Sequence, residues 1–348
     1  MIDIKQAKVA LLAIHKVGNA TNDEDLKLSD ELTNIDNEEL REVLVKYFLG
    51  HFNYDELYQF TFSNNGHELN PLFNYSKNIF GDEDAFIPRS ADMAKHLYEV
   101  AVHPNIKSGE FYVALFTGIL VDGVPTEAVG IFKSEKKEDF LRITEATKAI
   151  NVKHNRGVNT TKLDKGALIL NTEEGNGYKI AVKDASNRLF EAVYWVDTYL
   201  NVKPLSDSYN YTKEYMNLTK DFITKEFPKN YEVEKSDQID LLNRSVDYFK
   251  HADEFNEQEF SMTVFQDKNV ANDFRRYSEE SYEGELSADR SFEISAQAVK
   301  KQQRIFKSIL KLDKNFSVYI HGDKNMVEKG YDEVTGKKFY KLYYDEER

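Results

Sequence analysis

The stretch Phe111–Val121 constrains the fold more than any other part of the chain. It is apolar nearly throughout, yet far shorter than the roughly 20 residues that cross a bilayer as a helix. A buried strand fits it, with Asp122-Gly123 supplying a tight turn and Val129–Phe132 returning alongside as a hairpin. A second hairpin pairs Ala167–Leu170 with Tyr178–Val182 across Gly175-Asn176-Gly177. An apolar-rich stretch from Ile4 to Val17, a strand around Asp25–Ile35 and another at Glu56–Phe62 add to the sheet. Two helices accompany these strands. One is capped by Asp36 with Glu39 reaching back, and carries Leu40, Val43, Leu44, Tyr47 and Phe48 on one stripe. The other is capped by Ser90 and turns Met93, Ala94, Leu97, Val100 and Ala101 inward.

From Ser186 the periodicity becomes helical. Tyr215, Met216, Thr219, Phe222 and Ile223 share a face of a helix that Pro228 is expected to stop, and Ile239, Leu242, Val246 and Phe249 form the stripe of a helix capped by Ser236. After Gly284 come a helix, a strand at Asn315–His321 and a hairpin turning at Glu333–Gly336 into Lys338–Tyr344. The expected fold class is α+β in three parts: a mixed-sheet domain at 1–185, a helical middle at 186–283 and a small α+β domain at 284–348 bearing a basic helix.

Charge narrows the function. The net charge is −14, which argues against a surface that coats nucleic acid all over, since phosphate binding draws on Lys and Arg. The charge is polarised, however: residues 1–150 hold 15 basic and 25 acidic side chains, whereas residues 296–348 hold 12 and 8. A basic site must therefore be local. Cysteine is absent, which rules out disulfides and thiolate metal sites within the chain and suits a reducing compartment. With no signal peptide or membrane span in evidence, a cytoplasmic protein with no membrane partner is expected.

The segments Ile14-His15-Lys16-Val17, Tyr194-Trp195 with Tyr199-Leu200, Asp207–Thr212, Ala288-Asp289-Arg290-Ser291, Phe316–Ile320 and Gly330-Tyr331-Asp332 together resemble the bacterial nucleoid-associated protein family of the NdpA type. The resemblance spans most of the chain. It implies association with the nucleoid, contact with DNA directly or through chromosome-bound proteins, and neither enzymatic activity nor a cofactor. The long Lys-rich and Tyr-rich C-terminal stretches depart from the better-known members.

The sharpest local signal is Ala298–Lys314, where Lys300, Lys301, Arg304, Lys307, Lys311 and Lys314 are opposed only by Asp313. On a helix, Lys300, Arg304, Lys307, Lys311 and Lys314 would form one basic stripe about four turns long, suited to following phosphates. An ordinary solvated helix face has the same appearance. Secondary contacts are expected from Lys153, Arg156, Lys162 and Lys165, read as a flexible basic loop, and from Arg275 and Arg276 beside Tyr277. Phosphate-binding loops, His-Glu-x-x-His, nucleophile elbows and clustered histidines are all missing, so no catalytic or metal-binding residue is assigned. Asp122 with Glu135-Lys136-Lys137 is the one pattern that a metal-dependent nuclease could share. The expected function is weakly sequence-selective binding of double-stranded DNA. The alternative is an adaptor whose acidic N-terminal face docks on a DNA-bound protein such as a replication or topology enzyme. The oligomeric state is open, a homodimer included.

Overall fold

The computed structural model describes residues 1–62, 66–146, 149–185, 194–281, 291–306, 309–320 and 326–346. The fold is mixed α/β, and the chain divides into two compact units, Met1–Leu205 and Ser206–Arg348.

The first unit is built on strands β1 (Ile2–Asp3), β2 (Lys8–Val17), β3 (Leu57–Phe60), β4 (Gly109–Val121), β5 (Val124–Ser134), β6 (Lys137–Ala146), β7 (Ala149–Val158), β8 (Lys165–Leu170), β9 (Lys179–Asp184) and β10 (Val202–Pro204). The main sheet runs β1-β4-β5-β8-β9-β3-β10, with β2 also paired to β4, and its ladders are antiparallel. β6 and β7 form a separate two-stranded ribbon. Helices α1 (Glu38–Leu49), α2 (Pro71–Gly81) and α3 (Phe86–Val100) complete the unit.

Why Phe111–Val121 is apolar without alternation is now plain, because the sheet is covered on both faces. Phe111, Val113 and Leu115 enter a core with Leu72, Met93 and Leu97 of α2 and α3, while Tyr112, Ala114 and Phe116 enter another with Tyr47 and Phe48 of α1. The sheet curls where the β4–β5 register shifts between Phe116 and Ile119. Gly118 sits in that bulge at φ 74°, and a Cβ there would lie 2.2 Å from the Gln6 carbonyl oxygen, so only glycine fits.

Several local expectations shift. Residues 25–35 form no strand beyond one bridge between Lys16 and Lys27, since their Asp, Ser and Asn side chains favour turns over a ladder. Asn37, not Asp36, caps α1, its side chain accepting from Leu40 N at 2.9 Å. Ser90 is interior to α3 instead of capping it, and donates to the Ile87 carbonyl at 2.8 Å.

The second unit contains α4 (Ser208–Asp221), α5 (Phe227–Asn230), α6 (Lys235–His251), α7 (Glu257–Phe265), α8 (Lys268–Ser281) and α9 (Ala296–Gln302). Strands β11 (Glu254–Asn256), β12 (Ser291–Glu293), β13 (Ile309–Leu312), β14 (Phe316–Tyr319), β15 (Val327–Asp332) and β16 (Lys337–Leu342) form antiparallel pairs in that order. Helical structure persists through Pro228: a wide π turn at Phe222–Glu226 precedes it, and the proline occupies the first turn of α5, where its missing N–H costs nothing. α6 is capped by Glu234 in a capping box with Asp237, two residues ahead of Ser236. The middle helices share one core with the segment after them, because Phe222, Phe249, Phe260 and Phe274 pack with Phe292, Val299 and Phe306. Phe249 and Phe255 stack at 5.5 Å within it.

Candidate nucleic-acid interface

The basic segment begins at Ser295, whose hydroxyl caps α9 by accepting from Ala298 N at 3.4 Å. Ala298 and Val299 turn inward, so Lys300 and Lys301 are left on the outer side. Lys301 stands 6.0 Å from the ring centre of Tyr209, within cation–π range. The helix is shorter than its basic spacing predicts. It ends at Gln302, a 3-10 turn at Gln303–Ile305 carries Arg304, and Phe306 closes the turn in the core.

A single four-turn stripe therefore does not exist. Lys311 lies on β13, pointing to solvent between Leu310 and Leu312, and Lys314 lies in the β13–β14 turn, while Lys307 falls outside the described residues. β13 is pulled out of helical conformation by its pairing with Phe316–Tyr319 and by Leu310, which packs on Ile239 of α6 and Ile320. α9 also rests on α6. What the fold retains is the charge: Lys300, Lys301, Arg304, Lys311 and Lys314 are exposed, and among the described residues none has a carboxylate partner.

The secondary candidates divide. The basic loop expected from Lys153 onward is strand as far as Val158. Lys153 and Arg156 are exposed on β7, and Lys153 is directly opposite Arg142 of β6. Two like charges facing each other across a ladder destabilise it unless an anion lies between them. Arg142 was not singled out from the sequence; only the register of the ribbon brings it to Lys153. Phe140, Thr144, Asn151 and Asn155 share that face of the ribbon.

The other candidates are ion-paired, Lys162, Arg275 and Arg276 at the surface and Lys165 in the interior. Lys162 bonds Glu138 at 3.0 Å and holds that carboxyl below its ordinary range, helped by Asn159. Lys165 is 1% exposed and pairs with Asp184 at 3.0 Å beneath the Tyr194 ring, so it cannot reach a phosphate. Its neighbour Lys133 is equally buried against Glu135 at 3.1 Å and the Lys107 carbonyl at 2.6 Å, and burial lowers its pKa. Arg275 is paired with Glu279 at 3.2 Å and Arg276 with Asp273 at 3.0 Å.

The nuclease-like pattern is not assembled. Asp122 is in the β4–β5 turn against the N-terminal amine, whereas Glu135 follows the far end of β5, roughly 35 Å of extended strand away. Glu135 is held by Lys133, and Lys137 is ion-paired with Glu110. Among the described residues, no group of three or more histidine and carboxylate side chains is placed to hold a metal ion, and no helix is long and apolar enough to cross a membrane.

The model of a family described as nucleoid-associated protein YejK matches residues 13–339. No curated protein matches the chain.

Proposed function

The chain belongs to the nucleoid-associated protein YejK family, and from that premise we propose that it binds duplex DNA directly, by its phosphates, without catalysis. The observation that carries this reading is the set Lys300, Lys301, Arg304, Lys311 and Lys314, exposed and without carboxylate partners among the described residues, in a chain whose other candidate cations are largely paired. Arg142 and Lys153 on the ribbon supply a second place where an anion would relieve repulsion. Neither surface holds a recognisable groove-reading motif, so contacts of this kind position the protein and leave the bases unread. Titrating salt against the affinity of purified protein for bare duplex DNA tests the proposal, because each neutralised phosphate steepens the dependence.

A second reading has its own observation. Leu28, Leu32, Leu40 and Val43 are each at least 40% exposed, among Asp30, Glu31, Asp36, Glu38, Glu39 and Glu42. Such an acidic surface dotted with aliphatic side chains suits docking on a basic, DNA-bound protein. On that reading bare DNA binds little until the partner is present.

A further inference from the structure

The β6–β7 ribbon has a second face that DNA contact leaves unused. Directly opposed residues of an antiparallel ladder share a side, which places Leu141, Ile143, Ile150 and Val152 together, away from Arg142 and Lys153. These four are 67, 57, 71 and 59% exposed. The ribbon pairs with no third strand among the described residues. A two-stranded sheet alone is marginal in water, and contiguous exposed aliphatics mark an interaction surface.

The charges on this face indicate what covers it. At the base of the ribbon Lys137 is paired with Glu110, and Asp139 is bonded to His154 at 3.0 Å. Among the described residues Arg156, level with Asp139, has no ion-pair partner within reach, and neither has Glu145 near the tip, level with Ile150. Arg156 and Glu145 are separated along the ladder by roughly 20 Å, too far to pair within one chain. An anion at one end of an aliphatic patch and a cation at the other form a self-complementary surface.

We propose that a second copy of this chain covers the face, the two ribbons packing antiparallel about a two-fold axis. The aliphatic patches meet at the centre, and each Glu145 reaches the other copy's guanidinium at 156. Such an isologous contact satisfies both unpaired charges at once. It buries on the order of 1,000 Å² in total, at the small end of specific interfaces. The inference does not rest on DNA binding.

Sedimentation equilibrium of the full-length protein without DNA, from about 1 to 100 µM, tests it. A reversible monomer–dimer equilibrium is expected. Ile143→Glu with Val152→Glu should leave a monomer with an unchanged circular dichroism spectrum, since both side chains are exposed. Glu145→Arg and Arg156→Glu should each weaken the dimer several-fold, and the two together should restore it to within about twofold, the non-additivity that direct contact requires. A monomer at the highest concentration, a dimer indifferent to the aliphatic variants, or charge variants whose effects simply add would each overturn the proposal.

Discussion

His15 and Ser90 lie 3.0 Å apart, Nε2 to Oγ, in the buried interior of the first unit. Ser90 donates its own hydrogen to the Ile87 carbonyl, and His15 Nδ1 accepts from Ser29 N at 3.1 Å, so Nε2 must carry the imidazole proton and donate to Ser90. The folded state thus holds a neutral histidine, and burial pushes its pKa down to about 4.

That arrangement predicts an acid-labile N-terminal unit. The unfolded chain takes up a proton at His15 near its ordinary value of 6.5, while the folded chain resists until about 4. The stabilisation is complete above pH 6.5 and drains away as pH falls between those two values, by up to about 3 kcal/mol. Urea midpoints measured from pH 7.5 to 4 should fall, and His15→Gln should flatten that part of the curve. An equal slope in the variant would show that His15 is not responsible.

Lys165 is assigned to the fold and not to DNA. Removing it breaks the ion pair with the largely buried Asp184, a loss of about 3–5 kcal/mol. Lys165→Met should therefore lower the melting temperature while leaving the salt dependence of DNA binding as it was. A shallower salt dependence at unchanged stability would place the side chain on the surface after all.

Trp195 is the only tryptophan, fully buried beneath Tyr199 at a ring separation of 4.9 Å. Its emission should be blue-shifted in the native protein and report unfolding of the first unit alone. Trp195→Ala should cost about 3–5 kcal/mol through the cavity it leaves. Red-shifted native emission would contradict this placement.

Reversing Lys300, Lys301, Arg304 and Lys311 to Glu should weaken DNA binding several-fold or more with little effect on folding, because exposed charge changes rarely disturb stability. Filter binding at low salt, with circular dichroism as the control for folding, measures both. Full affinity in a normally folded variant would remove these residues from the interface.

The sheet was legible in the sequence because its strands carry their own signal: Phe111–Val121 and Ala167–Leu170 are apolar enough to need cover on both faces. The basic segment reads as a helix because Phe306, Ile309 and Leu310 fall at helical spacing, although Leu310 and Leu312 also fall two apart as on a strand. Pairing with Phe316–Tyr319 and contact with Ile239, distant in sequence, decide between them. Lys153 and Arg156 looked like loop residues beside Gly157, since the exposed ribbon around them lacks a buried face, and the opposition of Lys153 to Arg142 exists only once the register is set. Burial of Lys165 was equally hidden, because Asp184 comes to it across the β8–β9 ladder.

The central claim is direct phosphate binding, and a fluorescence-anisotropy salt titration of purified protein on random and AT-rich duplexes tests it most directly. Five engaged cations predict a logarithmic slope near −4 to −5, about 0.9 for each phosphate neutralised, with micromolar-order affinity at physiological salt and less than about tenfold difference between duplexes. Absence of binding at low salt, or a nanomolar affinity with a slope near zero, would contradict the account.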